Sequence, residues 1–112
     1  MTVPVLNRVM VLQQEQRVSD EAGGYVTLWQ TLGSLWARVE ARSARATAGQ
    51  AVSLAKTSYR ITVRAAPVGT NARPVPGQRL VEGSRLFAIE AVTEADPQGR
   101  YLICHATEEV AQ

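Results

Sequence analysis

Two extended runs joined by a short turn decide the fold, and the turn reads Ser19-Asp20-Glu21-Ala22-Gly23-Gly24. Before it, residues 8–18 contain an apolar run at 9–12 and then become mostly polar, which predicts a strand that starts buried on both faces and ends in solvent. After it, residues 25–39 are rich in Val, Thr, Tyr and Trp, as strands are. Because two successive glycines accept positive φ at low cost, this stretch predicts a β-hairpin. Gly33 breaks the alternation of the second run and predicts a bulge or bend between two shorter strands.

The segment that follows the hairpin has a different composition. Residues 43–55 are rich in alanine, their apolar residues recur at spacings of three and four, and Ser43 stands where a helix cap would be. One short helix is therefore predicted. Its apolar stripe consists of small side chains, and Gly49 within it costs about 1 kcal/mol relative to alanine, so a mobile loop is the alternative.

The rest of the chain predicts further antiparallel strands. Residues 59–64 alternate strictly between apolar and polar side chains, which indicates a strand with one face in solvent. Residues 65–78 contain three prolines and two glycines and predict a flexible surface loop. Strands at 79–81, 86–93 and 100–106 follow, and the last two are separated by Asp96-Pro97-Gln98-Gly99, which fits a type I turn.

These segments predict one domain over residues 1–112, of the mostly-β class. A chain of 112 residues with 46% hydrophobic residues can bury one modest core. Five to seven antiparallel strands, with one short helix in a long insertion at about residues 43–57, favour a small β-barrel or sandwich. Aromatic residues make up only 5% of the chain, so each aromatic ring supplies a large share of the packing area. The predicted core residues are Trp29, Trp36, Tyr59, Ile61, Val63, Phe87 and Ile89.

The sequence offers no recognisable set of catalytic residues. Cys104 is the single cysteine, which excludes an intrachain disulfide and a multi-cysteine zinc site. His105 is the single histidine, and adjacent side chains on a strand point to opposite faces, so the two cannot readily act as nucleophile and base. Gly23 and Gly24 lack the spacing and the lysine of a phosphate-binding loop. We therefore predict no enzyme, no cofactor and no metal site.

Charge is distributed unevenly, although the net charge is only +2. Residues 36–64 carry six cations and one anion, and residues 90–112 carry five anions and one cation. Such surfaces could pair between neighbouring subunits, or the basic one could face DNA phosphates; the alternative is two solvated faces. No apolar run approaches the roughly 18 residues of a membrane span, and the start of the chain does not resemble an export signal, so no membrane contact is predicted.

Three segments together form a specific signature. They are the opening strand, with Arg8 at its start and Gln13 within it, the turn from Asp20 to the glycine pair, and the second run with its tryptophans. These resemble the first hairpin of the head closure proteins of siphoviruses and related gene-transfer particles, also called head-tail joining or head-tail adaptor proteins. Residues 58–64 resemble that family's second core strand. Residues 77–92 resemble its hairpin with the pattern Gly-x-Arg, turn, Arg-x-Phe-x-Ile-x-x-Val.

By that resemblance, the protein would be a small β-barrel subunit of a ring, typically dodecameric, beneath the portal and its adaptor. The ring would act as a stopper that retains packaged double-stranded DNA, and the tail terminator or tail tube would dock below it. The subunit would then reside in the neck of a phage or phage-like particle that assembles in the host cytoplasm. In the family the segment at about residues 43–57 reaches the DNA channel. The residues expected to line the channel or face DNA are Arg42, Arg45, Thr47, Gln50, Ser53 and Lys56.

Two other functions are compatible with these patterns. One is a small nucleic-acid-binding barrel, which would need Trp29, Trp36 and Tyr59 exposed beside Arg38 and Arg60 to stack on bases. Strand alternation counts against it, because it places Tyr59 and Arg60 on opposite faces. The other is a different neck or tail structural protein, such as a tail terminator. The position of the chain in a particle would separate that function from head closure.

Overall fold

The computed structural model describes residues 3–42 and 57–109. Within them six strands form: β1 (Arg8–Ser19), β2 (Tyr25–Ala41), β3 (Thr57–Arg64), β4 (Arg79–Glu82), β5 (Arg85–Glu94) and β6 (Tyr101–Glu109). They pair antiparallel in the order β1-β2-β3-β6-β5-β4, and the pairing of β1 with β4 closes the sheet into a barrel. The predicted mostly-β class is confirmed. The predicted helix lies outside the described residues, whereas Thr57, assigned above to the insertion, begins β3.

The interior of the barrel is an aliphatic core around one phenylalanine. Inward side chains come from alternate positions of the strands, as antiparallel pairing requires. Tyr59 packs at the edge of this core, where its ring meets the Phe87 ring edge-on at a centroid distance of 5.2 Å. Of the residues predicted to form the core, Ile61, Val63, Phe87 and Ile89 are buried. The buried apolar residues are Met10, Leu12, Ala37, Ile61, Val63, Leu80, Phe87, Ile89, Leu102, Cys104 and Ala106.

Both tryptophans lie outside this core, so their prediction as core residues was wrong. Trp36 is 59% exposed, because Leu35 and Ala37 occupy the inward positions on either side of it. Trp29 is half-buried beyond the barrel, where the Arg79 guanidinium lies 4.1 Å from the centre of its ring. The size of a tryptophan ring favours burial, but the strand register decides which face a side chain occupies.

β1 and β2 continue beyond the barrel as a hairpin arm, residues 14–30. Within the described residues, β1 pairs with β4 only through Val11–Gln13, so the two strands of the arm pair only with each other. The register between β1 and β2 shifts after Leu12, opposite Gly33, and the extra residue on β2 is Leu32. This is the bulge predicted at Gly33, although β2 remains one strand of 17 residues.

The turn at the tip of the arm is held by one carboxylate. Asp20 accepts hydrogen bonds from the N–H groups of Ala22, at 2.8 Å, and Gly24, at 2.9 Å. Gly23 between them has a φ of +87°, which explains why glycine is required there. The predicted turn before β6 also forms, because the Gly99 N–H donates to the Asp96 carbonyl at 3.0 Å.

The connections divide the barrel into two ends. At the insertion end, β1 begins, β2 ends and β3 begins, so the residues that flank the insertion, Arg42 and Thr57, both lie there. At the arm end lie the hairpin arm, residues 65–78 and the turn between β5 and β6. Residues 65–78 contain turns and no strand, and Gln78 within them is buried, where its amide donates to the Gln14 side chain at 2.8 Å.

Candidate functional site

Of the six residues predicted to face DNA, the structure describes one, Arg42, at the insertion end. Arg42 is exposed directly after β2, and its N–H donates to the Ser58 carbonyl at 2.9 Å. Ala41 pairs with Tyr59 across β2 and β3, so both flanks of the insertion are anchored on neighbouring strands. The other five predicted residues, Arg45, Thr47, Gln50, Ser53 and Lys56, lie outside the described residues.

A cluster of polar side chains closes the barrel at this same end. The end cluster consists of Arg8, Tyr59, Glu82, Arg85 and Glu108, which occupy inward positions just beyond the apolar core. Arg8 binds Glu82 through two hydrogen bonds, one of them from Nε at 2.8 Å. Arg85 binds Glu108 through two hydrogen bonds of 2.7 and 3.1 Å and donates to the Tyr59 hydroxyl at 3.3 Å.

The electrostatics of the end cluster keep both ion pairs charged at neutral pH. The hydrogen bonds from Arg8 lower the pKa of the Glu82 carboxyl, and those from Arg85 lower the pKa of the Glu108 carboxyl. Burial raises the pKa of the Tyr59 phenol, and the neighbouring Glu108 carboxylate raises it further. The positive charges of the two arginines balance the negative charges of the two glutamates. The end cluster is therefore a neutral plug and does not provide a basic surface for DNA.

The end cluster was not identified from the sequence. Arg8 and Glu82 are 74 positions apart, and their contact depends on the closure of β1 onto β4. A local signal did exist, since Arg8 lies two positions before buried Met10, and Glu108 lies two positions after buried Ala106. When a charged residue at the end of a strand lies an even number of positions from buried residues, its side chain is on the inward face, which indicates an inward-facing ion pair.

A second surface lies on the outer face of β2, β3 and β6. Trp36 and Arg64 each lie next to a residue of the pair Ala37 and Val63, Arg64 pairs with Tyr101, and the three side chains line one groove. The Arg64 guanidinium lies 5.9 Å from the centre of the Tyr101 ring. With residues from the start of the chain they line an open groove of about 550 Å³, the Trp36 groove. Its lining residues are Val3, Pro4, Leu6, Ser34, Leu35, Trp36, Arg64 and Tyr101.

A smaller crevice beside the Trp36 groove is lined in part by Arg38 and Arg60. Arg38 forms an ion pair of 3.2 Å with Glu40, and its Nε is buried without a hydrogen-bond partner within the described part of the chain. The outer face of β2 and β3 therefore carries three arginines, counting Arg64, and one glutamate. Part of the basic segment predicted from the sequence thus forms one surface of the folded barrel.

The aromatic residues do not form the stacking platform that a nucleic-acid-binding barrel would need. Trp36 is exposed on the same face as Arg38, as that function requires. Tyr59, however, points into the barrel, and Trp29 lies on the hairpin arm under Arg79. The three rings therefore do not lie together beside Arg38 and Arg60.

Cys104 and His105 point to opposite faces of β6, as predicted. Cys104 is buried in the core, and burial raises the pKa of its thiol to about 12, so it carries almost no thiolate at neutral pH. His105 lies on the outer face with its Nε2 3.0 Å from the Thr93 hydroxyl. Residues 3–42 and 57–109 contain no group of three potential metal ligands. They also contain no helix long and apolar enough to span a membrane.

Comparisons with known proteins identify the family. The family model described as phage head completion protein matches residues 1–109. A chain of a solved structure, the virion of a native gene transfer agent particle, is 50% identical and superposes with a TM-score of 0.82. That match covers 98% of this chain and 100% of the other. No curated protein matches. The resemblance to head closure proteins is thus confirmed at the level of the family, and the chain belongs to the phage head completion proteins.

Proposed function

We propose that the protein is a head closure, or stopper, subunit. Copies of it form a dodecameric ring between the portal or its adaptor and the tail, retain packaged double-stranded DNA and dock the tail. The family supports a structural role in the head-tail region of a virion. The observation that carries the finer proposal is the anchoring of residues 43–56 on two paired strands at the plugged end of the barrel.

The composition of the insertion suits contact with DNA. Residues 43–56 contain two cations, Arg45 and Lys56, and no Asp or Glu, and Arg42 precedes them. Each cation near the duplex releases condensed counterions, and a ring repeats that contribution once per subunit.

The barrel suits the role of a rigid support for this segment. Closure pairs both edges of the sheet, and the end cluster joins five strands directly beside the insertion. The two strands that flank the insertion, β2 and β3, are therefore part of a closed sheet. At the other end, exposed apolar residues such as Val68 and Val75 offer contacts to a neighbouring layer of the particle.

The proposal includes a structural role without catalysis. Cys104, the one residue of the chain with an intrinsically strong nucleophile, is fully buried and its pKa is raised to about 12. Function would then depend on surfaces and on the insertion. The test accordingly measures DNA retention and particle assembly.

The experiment deletes residues 44–56 and joins the flanks by a short Gly-Ser linker. The barrel should fold, because both flanks end on paired strands, and the particles should release DNA that is measured as nuclease-sensitive DNA after purification. A matched variant keeps the length of the segment but replaces Arg42, Arg45 and Lys56 with glutamine, and should retain DNA less completely than the natural sequence. Normal DNA retention by the deletion variant would contradict the proposed role of residues 43–56 in retaining DNA.

Localisation in particles tests the rest of the proposal. A head closure subunit should copurify with filled heads that lack tails, when tail assembly is blocked. Copurification with free tails instead would make the chain a tail terminator or a related tail protein. Cryo-electron microscopy of whole particles gives the number of subunits in the ring.

A further inference from the structure

We propose that the hairpin arm of one subunit docks in the Trp36 groove of the next copy of the same chain. The inference rests on the proposed function, because it assigns the contact that joins neighbouring subunits of the ring. It follows from the distribution of exposed apolar residues, from the two faces of the arm and from the charges at the two surfaces.

The exposed apolar residues concentrate at two separate places. Among the described residues, ten large hydrophobic side chains are exposed. Val3, Val9 and Trp36 lie in or directly beside the Trp36 groove. Four more are on or beside the arm, namely Val18, Tyr25, Val26 and Leu28. Concentrated apolar patches on a small protein mark interaction surfaces.

The two faces of the arm differ in charge and in their contacts with the rest of the chain. One face carries Gln14, Gln16, Val18, Val26, Leu28 and Gln30, which the register pairs directly across the two strands and none of which is charged. The other face carries Glu15, Arg17, Tyr25 and Trp29, and its aromatic rings already contact Arg17 and Arg79 of the same chain. On the uncharged face Gln14 accepts a hydrogen bond from Gln78, but Val18, Val26 and Leu28 are exposed, so this is the face available to a partner.

The charges at the two surfaces are complementary. The turn at the end of the arm carries Asp20 and Glu21, both exposed. The residues that line the Trp36 groove include one cation, Arg64, and no carboxylate. Arg38, Arg60 and Asp96 line the crevice beside it, where Arg38 pairs with Glu40 and Asp96 pairs with Arg100, so Arg60 and Arg64 carry the positive charge of this face. An arm laid along this face brings an acidic tip to a basic surface and places Val26 and Leu28 against Trp36.

The geometry also suits a ring. Two different surfaces on one chain make a head-to-tail contact, which repeats around an axis, whereas a contact of one surface with itself ends at a dimer. At about 3.3 Å per residue, the six residues from Gln14 to Ser19 extend about 20 Å beyond the barrel. That length is sufficient to cross onto a neighbouring barrel.

Cross-linking in particles tests the contact. A subunit with Leu28→Cys on the arm and Ser34→Cys in the groove is treated with a short bis-maleimide linker. We expect a ladder of covalent dimers, trimers and larger multiples. Leu28→Cys combined with Ser84→Cys, an exposed position in the turn at the insertion end, is the matched control and should remain monomeric. Cys104 is buried and should not react.

A charge variant gives an independent measurement. Leu28→Asp places a carboxylate on the uncharged face of the arm and should lower incorporation into particles about tenfold or more, whereas Thr27→Asp on the opposite face should change it little. Thermal unfolding of both variants should match that of the natural protein, because both positions are exposed.

The outcomes separate this inference from the proposed function. Particles that contain normal amounts of the Leu28→Cys/Ser34→Cys subunit and give no ladder would overturn the arm contact, as would a cross-link from Leu28 to a different particle protein. Neither result affects DNA retention by the insertion. Conversely, a ladder in particles that retain DNA after deletion of residues 44–56 would support the arm contact and contradict the stopper.

Discussion

At the insertion end of the barrel, charged side chains point inward and bind one another, whereas at the arm end apolar side chains point outward into solvent. Arg8 and Glu82 illustrate the first arrangement, and Val26 and Leu28 the second. The inward ion pairs join strands within one subunit. Exposed apolar residues contribute little to stability and are available to other proteins. The comparison therefore predicts that substitutions at the two places have separable effects on folding and on assembly.

The largest expected effect on folding comes from Phe87, which is fully buried at the centre of the core. Phe87→Ala should lower the free energy of unfolding by about 3 to 5 kcal/mol, since it removes a large buried side chain and leaves a cavity. The free energy of unfolding of a domain of this size is about 5 to 15 kcal/mol, so the variant should be only marginally stable. Urea denaturation followed by tryptophan fluorescence measures the change. A loss below about 1 kcal/mol would contradict the placement of Phe87 in the core.

Acidification should have the next largest effect, because it removes both ion pairs of the end cluster. The folded pKa values of Glu82 and Glu108 lie below the ordinary value of about 4.3, so their stabilisation is complete above that pH. It is lost as the pH falls through the lowered folded values. The free energy of unfolding, measured by urea titration at a series of pH values, should therefore fall steadily below about pH 4.

A matched pair of variants assigns this acid sensitivity to the end cluster. Glu108→Gln cannot ionise and should flatten the loss of stability in acid. Glu109→Gln, on the neighbouring exposed position, should leave the pH profile unchanged. If both variants lost stability with falling pH as steeply as the natural protein, other carboxylates such as Asp96 would be responsible for the acid sensitivity. Asp96 is a reasonable alternative, since hydrogen bonds from Arg100 and from backbone N–H groups outweigh its burial and lower its pKa.

The fold could be predicted largely from local signals, whereas the candidate sites could not. Turn residues such as Gly23 and Asp96 and the strict alternation of β3 depend only on neighbours in sequence, and the elements they predict are present. The side on which Trp36 lies depends on the pairing of β2 with β1 and β3, and the contact of Arg8 with Glu82 depends on closure of the barrel. Such non-local pairings leave no mark in a short window of sequence.

Trp36→Ala should have the smallest effect on folding, although it removes a side chain even larger than that of Phe87. Trp36 is 59% exposed, so the free energy of unfolding should fall by less than about 1 kcal/mol. Incorporation into particles should nevertheless drop, because interface energy concentrates in a few aromatic residues that a partner buries. Denaturation and the amount of subunit per particle are measured for this variant and for Phe87→Ala. A Trp36→Ala protein that is both fully stable and normally incorporated would show that the Trp36 groove is not an assembly surface. An unstable Trp36→Ala protein would instead show that Trp36 contributes to the core.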